Sequence, residues 1–100
     1  MIVAITLFAE ARDIAGTRSI DVEIVGDTCS VQQVLDTLVA GPGMQLAGRV
    51  LVADDGGRWM LVDGYRLMVR REILPDPYSW EACELSDGDE VGILPPFSGG

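Results

Sequence analysis

The residues best suited to chemistry in this chain are its last ones, Pro95-Pro96-Phe97-Ser98-Gly99-Gly100. Two residues without a Cβ can pass through a narrow channel and bring a terminal carboxylate close to another protein's backbone and to a nucleotide. The expected reactive group is therefore the carboxylate of Gly100, with Gly99 giving clearance. The rest of the inventory is sparse. All seven basic residues are arginine and histidine is absent, which removes a Ser-His-Asp triad, a histidine base or metal ligand, and a Schiff-base lysine. With no lysine, only the Met1 amine would accept an acyl group by amine chemistry, so lysine-linked self-conjugation is excluded.

Three other groups invite a chemical reading and do not sustain it. Cys29 and Cys83 show no C-x-x-C or zinc spacing. A disulfide is possible on count, but residues 1–8 lack the basic region and cleavage site of a signal peptide. The expectation is two reduced cysteines in a cytoplasmic protein, packed as small hydrophobes. Asp87, Asp89 and Glu90 fail the EF-hand spacing and are expected to be solvated carboxylates of a turn, with no metal bound. Asp54-Asp55 is expected to be an exposed turn.

The composition narrows the partners. Sixteen acidic residues give a net charge of −9, and from Glu81 onward there are five acids and no base. Such a surface repels phosphate backbones and anionic lipid, so no nucleic-acid and no membrane partner is expected, and a basic protein surface is. No apolar run is long enough to span a bilayer. At 100 residues and 48% hydrophobic composition, the chain makes one packed domain with no room for a separate catalytic one, and it should fold without metal or bound cofactor.

The elements that must position the tail follow from periodicity. Residues 2–8 form an apolar strand, central because both faces are apolar. Residues 9–15 make two short helical turns closed by Gly16, and residues 19–24 alternate as a second strand able to pair with the first. Ser30-Val31-Gln32-Gln33 is a capping box. The helix that it opens carries Val31, Val34, Leu35, Leu38 and Val39 on one stripe and stops at Gly41-Pro42. Residues 46–52 suit a short helix or strand, and residues 59–62 a strand. Asp63-Gly64 suggests a type I′ hairpin that returns residues 65–69 antiparallel. Pro75 and Pro77 break the next stretch into a loop, with Tyr78 and Trp80 folding back on the core. The last strand covers residues 90–94, and Pro95-Pro96 prevents further pairing. This order fits an α+β fold of the β-grasp (ubiquitin-like) class, a mixed sheet of four to five strands packed on one main helix, with a domain at 1–94 and a flexible tail at 95–100.

From Leu85 the chain reads L-x-D-G-D-E-V-x-x-x-P-P-x-x-G-G, which resembles the end of the molybdopterin synthase small subunit, the MoaD branch of the MoaD/ThiS sulfur-carrier superfamily. The resemblance extends loosely over the first strand, the Ala11-Arg12 to Gly16 turn and the Ser30-Val31 helix start. It departs at Val62-Asp63-Gly64, where carriers of this kind often have Val-Asn-Gly, and in a longer, proline-rich segment from Val69 to Cys83.

The resemblance implies that an E1-like, MoeB-like enzyme adenylates the Gly100 carboxylate with ATP, and that sulfur then displaces AMP to leave a thiocarboxylate. It further implies that Pro95, Pro96, Phe97 and Ser98 form an arm inserted into a MoaE-like large subunit, where the sulfur passes to precursor Z in molybdenum cofactor biosynthesis. The chain would not be catalytic alone. Phe8 and Leu94 are candidate partner contacts, equally readable as core. Three alternatives stand beside this one: a carrier serving thiamin, cysteine or another product, a ubiquitin-like modifier conjugated through Gly100, and a β-grasp interaction module with no tail chemistry.

Overall fold

The computed structural model describes residues 1–96; Phe97, Ser98, Gly99 and Gly100 lie outside the described residues. The first strand, β1 (Ile2–Leu7), buries Val3, Ile5 and Leu7 on one face. Its start is pinned by the Met1 amine, which donates to the Ile24 carbonyl at 2.8 Å. A short helix, α1 (Ala9–Ala15), ends on Gly16, whose φ of 76° lets its N–H reach the Arg12 carbonyl. The chain returns as β2 (Ser19–Glu23), antiparallel to β1.

After β3 (Thr28–Ser30) comes the main helix α2 (Val31–Ala40), and its capping box forms as the sequence predicts. The Gln33 N–H donates to Ser30 Oγ at 3.1 Å, and Gln33 Oε1 accepts from the Ser30 N–H at 2.8 Å. Val31, Val34, Leu35 and Leu38 are buried against Ile5, Leu67, Val91 and Ile93 of the sheet. Helix and sheet share one apolar core, which is the chief source of stability in a chain this small.

A 3-10 turn at Met44–Leu46 leads to β4 (Leu51–Ala53) and β5 (Trp59–Leu61), which pair only with each other among the described strands. Then β6 (Arg66–Val69) and β7 (Glu72–Leu74) join the main sheet, α3 (Pro77–Glu81) crosses to β8 (Glu84–Ser86), and β9 (Glu90–Leu94) completes it. The five-stranded sheet has the order β2-β1-β9-β6-β7, with β3-β8 and β4-β5 as two-stranded satellites. Strand β9 lies at the centre, parallel to β1 and antiparallel to β6.

The expected hairpin at Asp63-Gly64 is not there. Val62 and Tyr65 do close a tight turn, with the Tyr65 N–H donating to the Val62 carbonyl at 3.0 Å. However, β5 pairs with β4, and β6 pairs with β9 and β7, so the turn passes the chain from one sheet to another. A type I′ turn needs positive φ at both central residues, and only Gly64 has it, at 92°. The two-residue hairpin lies instead at Arg70-Arg71, with φ of 49° and 68°, between the paired residues Val69 and Glu72. Left-handed arginines cost about 1–2 kcal/mol each. Arg70 offsets this by binding Asp89 Oδ2 at 2.7 Å and the Glu84 carbonyl at 3.3 Å.

The proline-rich stretch also differs from expectation. Asp76 caps α3 by accepting from the Ser79 N–H at 3.0 Å, and Pro77 occupies the first helical position, where a missing N–H costs nothing. Trp80 does fold back onto the core and is 3% exposed, but Tyr78 faces outward at 75%.

Candidate functional site

The expected reactive end, Gly100, lies outside the described residues, and the structure describes the strand that leads toward it. Strand β9 finishes beside the end of β1, where Ile93 sits opposite Leu7, and beside the start of β6, where Leu94 sits opposite Arg66. The tail therefore leaves the middle of the sheet between Phe8 on one side and Tyr65-Arg66 on the other. Pro95 is half-buried and Pro96 exposed, and the Asp63-Gly64 turn lies against Pro96. Burial, and then the neighbouring Glu10 carboxylate, push the Tyr65 hydroxyl above its ordinary pKa, so it remains protonated across the physiological range.

The face of the sheet turned away from α2 is apolar through its middle. Strand alternation sends Val3, Ile5 and Leu7 to the core, and Ile2, Ala4 and Thr6 outward. Directly paired residues share a face, so Thr6, Gly92, Met68 and Ile73 make one row across four strands. Phe8 and Met68 close over β9 because position 92 has no side chain. A Cβ built there would lie 3.1 Å from Met68 Cε and 3.7 Å from Phe8 Cε2. Phe8 is 38% and Ile73 41% exposed.

Acids border this apolar face. On β2, Asp21 and Glu23 sit opposite Ala4 and Ile2, and Glu90 sits opposite Ala4 on the other side. Phe8 thus stands on the outer face beside the tail root and not in the core, and Leu94 is half-buried at the same end. Met68 and Ile73 complete the face, unforeseen from the sequence. The alternation Leu67-Met68-Val69 was the available signal, masked while β6 was expected to pair with β5.

The acidic turn before β9 is built differently from a patch of solvated carboxylates. Asp87 Oδ1 accepts from the Ile2 N–H at 2.7 Å, and Asp89 Oδ2 accepts from the Ser86 N–H at 2.8 Å as well as from Arg70. These side chains lock the start of β1, the end of β8 and the approach to β9 together. Among the described residues, no cluster of cysteine and carboxylate side chains has the geometry to hold a metal. Asp54 holds its own turn, accepting from the Gly56 and Arg58 N–H groups at 2.9 Å.

The cysteines are free thiols. Cys29 is buried in β3, and burial pushes its thiol up, which makes it a poor nucleophile. Cys83 is half-buried, with Arg70 Nη2 at 3.9 Å. Both line a shallow depression of about 310 Å³ with Thr28, Ser30, Gln33 and Glu84, and no residue of the outer face contributes to it. No helix among the described residues is long and apolar enough to cross a membrane.

A mixed five-stranded sheet with its C-terminal strand at the centre, packed on one main helix, is a β-grasp, ubiquitin-like fold. The ThiS family model matches residues 5–100, and the chain belongs to that family of ubiquitin-like sulfur carriers. It is 34% identical over 98 residues to small archaeal modifier protein 1 of Haloferax volcanii, covering 94% of this chain and 95% of that protein. The crystal structure of that species' SAMP1 superposes with a TM-score of 0.75 at 31% identity, covering the whole of both chains (100% each). A Pyrococcus furiosus protein assigned as molybdopterin converting factor subunit 1 shares the fold, with a TM-score of 0.64 at 21% identity and coverage of 97% of this chain and 99% of that one.

Proposed function

We propose that this chain is a sulfur carrier activated at Gly100, acting as the small subunit of a molybdopterin synthase. The domain at 1–94 docks on the activating enzyme, and residues 95–100 carry the reacting carboxylate. One observation supports this reading above others: the central strand β9 delivers its tail at the end of an apolar face bordered by acids. A partner that seats that face on an apolar surface with basic margins receives the tail at a fixed point.

The chemistry is balanced within the partner. The Gly100 carboxylate attacks the α-phosphorus of ATP and pyrophosphate leaves, which turns a poor electrophile into an acyl adenylate. A sulfur nucleophile then attacks the acyl carbon and AMP leaves. With sulfide-level sulfur as the nucleophile the product is a thiocarboxylate. Its sulfur attacks precursor Z inside a MoaE-like large subunit, and water then hydrolyses the acyl–sulfur bond, leaving the sulfur on the acceptor and returning the Gly100 carboxylate. The cofactor is ATP on the MoeB-like enzyme, and the setting is the cytoplasm, where ATP and reduced thiols coexist.

The test is the intact mass after incubation with ATP, a sulfur source and a MoeB-type enzyme. A gain equal to one oxygen exchanged for one sulfur, absent when Gly100 is deleted, is the expected result. No gain with an enzyme active on its own carrier overturns the carrier reading.

A second reading is favoured by the 34% identity to a small archaeal modifier protein. In that reading the activated Gly100 carbonyl is attacked by a lysine amine of another protein, giving an isopeptide bond. Adducts that survive a denaturing gel and disappear with the Gly100 deletion select it over the synthase role.

A further inference from the structure

Gly64 has two separate reasons to lack a side chain, and the second concerns the tail. Its φ of 92° lies in the left-handed region, which alone favours glycine. In addition, a Cβ at this position would lie 2.8 Å from Pro96 Cβ, 3.1 Å from Pro96 Cγ and 3.5 Å from Pro96 Cα. Other glycines with positive φ lack this second constraint. Gly88, at 86°, has nothing within 4 Å of such a Cβ, and the same is true of Gly16, Gly48 and Gly57.

The turn carrying Gly64 cannot easily yield. Tyr65 N–H closes it onto the Val62 carbonyl at 3.0 Å, and Val62 N–H is tied to the carbonyl of Val50, a fully buried residue, at 2.9 Å. Pro96 has no N–H to donate and a φ held near −65°, so packing is what fixes its direction. A clash at 2.8 Å would therefore be relieved by moving Pro96, and with it everything that follows.

We infer that Gly64 is a positioning residue for the tail: the space left by its missing side chain seats Pro96 and aims the segment that ends in Gly100. This inference rests on the proposed activation of Gly100. It predicts that a side chain at 64 leaves docking intact while the carboxylate arrives misdirected, which costs turnover and not affinity.

The experiment is a double-mutant cycle read by adenylation kinetics with ATP and a MoeB-type enzyme that acts on the wild-type chain. G64A should lower kcat at least tenfold, with KM for the carrier within about twofold. G88A, which imposes the same left-handed strain on an alanine without the contact, should leave both within twofold. On a P96G background, which removes the ring and Cβ that the added methyl group would strike, the further effect of G64A should shrink to twofold or less. A merely strained turn would lose the same factor on both backgrounds, and that result overturns the inference. So does a G64A variant indistinguishable from G88A. An NOE between the Gly64 Hα protons and the Pro96 ring is expected in the wild type, and its absence overturns the contact without recourse to any enzyme. A wild-type chain that shows the NOE but is not adenylated refutes the carrier reading instead.

Discussion

Gln32 and Trp59 are joined by a pair of hydrogen bonds that imitates a strand pairing. Gln32 Nε2 donates to the Trp59 carbonyl at 2.9 Å, and the Trp59 N–H donates to Gln32 Oε1 at 2.7 Å. A side-chain amide on α2 thus satisfies the backbone of β5, a strand whose only strand partner among the described residues is β4. The indole of the same tryptophan donates to Asp36 Oδ1, one turn further along α2, at 2.6 Å.

Truncating Gln32 removes both bonds and leaves two partly buried backbone groups without partners. Each such group costs about 1–3 kcal/mol, so Gln32→Ala should lower the free energy of unfolding by about 2–6 kcal/mol, measured by urea denaturation. A variant as stable as the wild type would show that the β4-β5 ribbon contributes nothing to the cooperative core. Gln32→Glu keeps the acceptor and loses the donor, and should fall between the two.

The outer face makes its own prediction. Phe8→Asp places a charge beside the tail root on a side chain already 38% exposed, so the fold should survive. KM for the activating enzyme should rise at least tenfold with Tm within a few degrees. Tyr78→Asp, on α3 and outside that face, should leave KM unchanged. Equal KM values for both variants would place docking elsewhere.

Adjacent arginines should respond with opposite signs. Arg71 is exposed with φ of 68°, so Arg71→Gly relieves strain of about 1–2 kcal/mol against a glycine entropy cost of about 0.5–1 kcal/mol. A net gain of about 0.5–1 kcal/mol in urea unfolding is expected. Arg70→Gly relieves the same strain but forfeits the bonds to Asp89 and the Glu84 carbonyl, and should destabilise. Two losses of equal size would argue against a two-residue hairpin at this point.

Acid should act through the capping carboxylates. The Ser79 backbone N–H and hydroxyl hold the Asp76 carboxyl below its ordinary value, and the Arg58 backbone N–H does the same for Asp54. The folded values are depressed, so these groups contribute stability above the ordinary aspartate value of about 3.9. That contribution is lost as pH falls through the lower folded values. Asp76→Asn keeps a capping acceptor but lacks the charge and does not titrate. Its urea midpoint should sit below that of the wild type at pH 6 and converge with it, or exceed it, by pH 2. A constant difference between the two across that range would contradict the assignment.

Local rules recovered much of this molecule. The alternation of β1 and β2, the capping box of α2 and the bounds of β9 are all readable because each depends on neighbours in the chain. What escaped depends on distant partners. Asp63-Gly64 has the residues of a hairpin, yet β5 is taken by β4 and by Gln32, while β6 is drawn to β9. The true hairpin falls on two arginines, which no turn preference selects, because Asp89 stands across from it. Similarly, Phe8 and Leu94 could be named from the sequence but not assigned a side of the sheet until β1 and β9 were known to run parallel. The carboxylates of Asp87 and Asp89 looked free because the amides that they bind belong to β1 and β8.

The parallel pairing of β1 with β9 orders events during synthesis. During synthesis β1 waits for residues 90–94 before its central neighbour exists, and the core under Val91 and Ile93 cannot close without them. Contacts of such long sequence separation form late. A chain that stops short of residues 90–94 therefore has no middle to its sheet, and the outer face around Gly92 does not form.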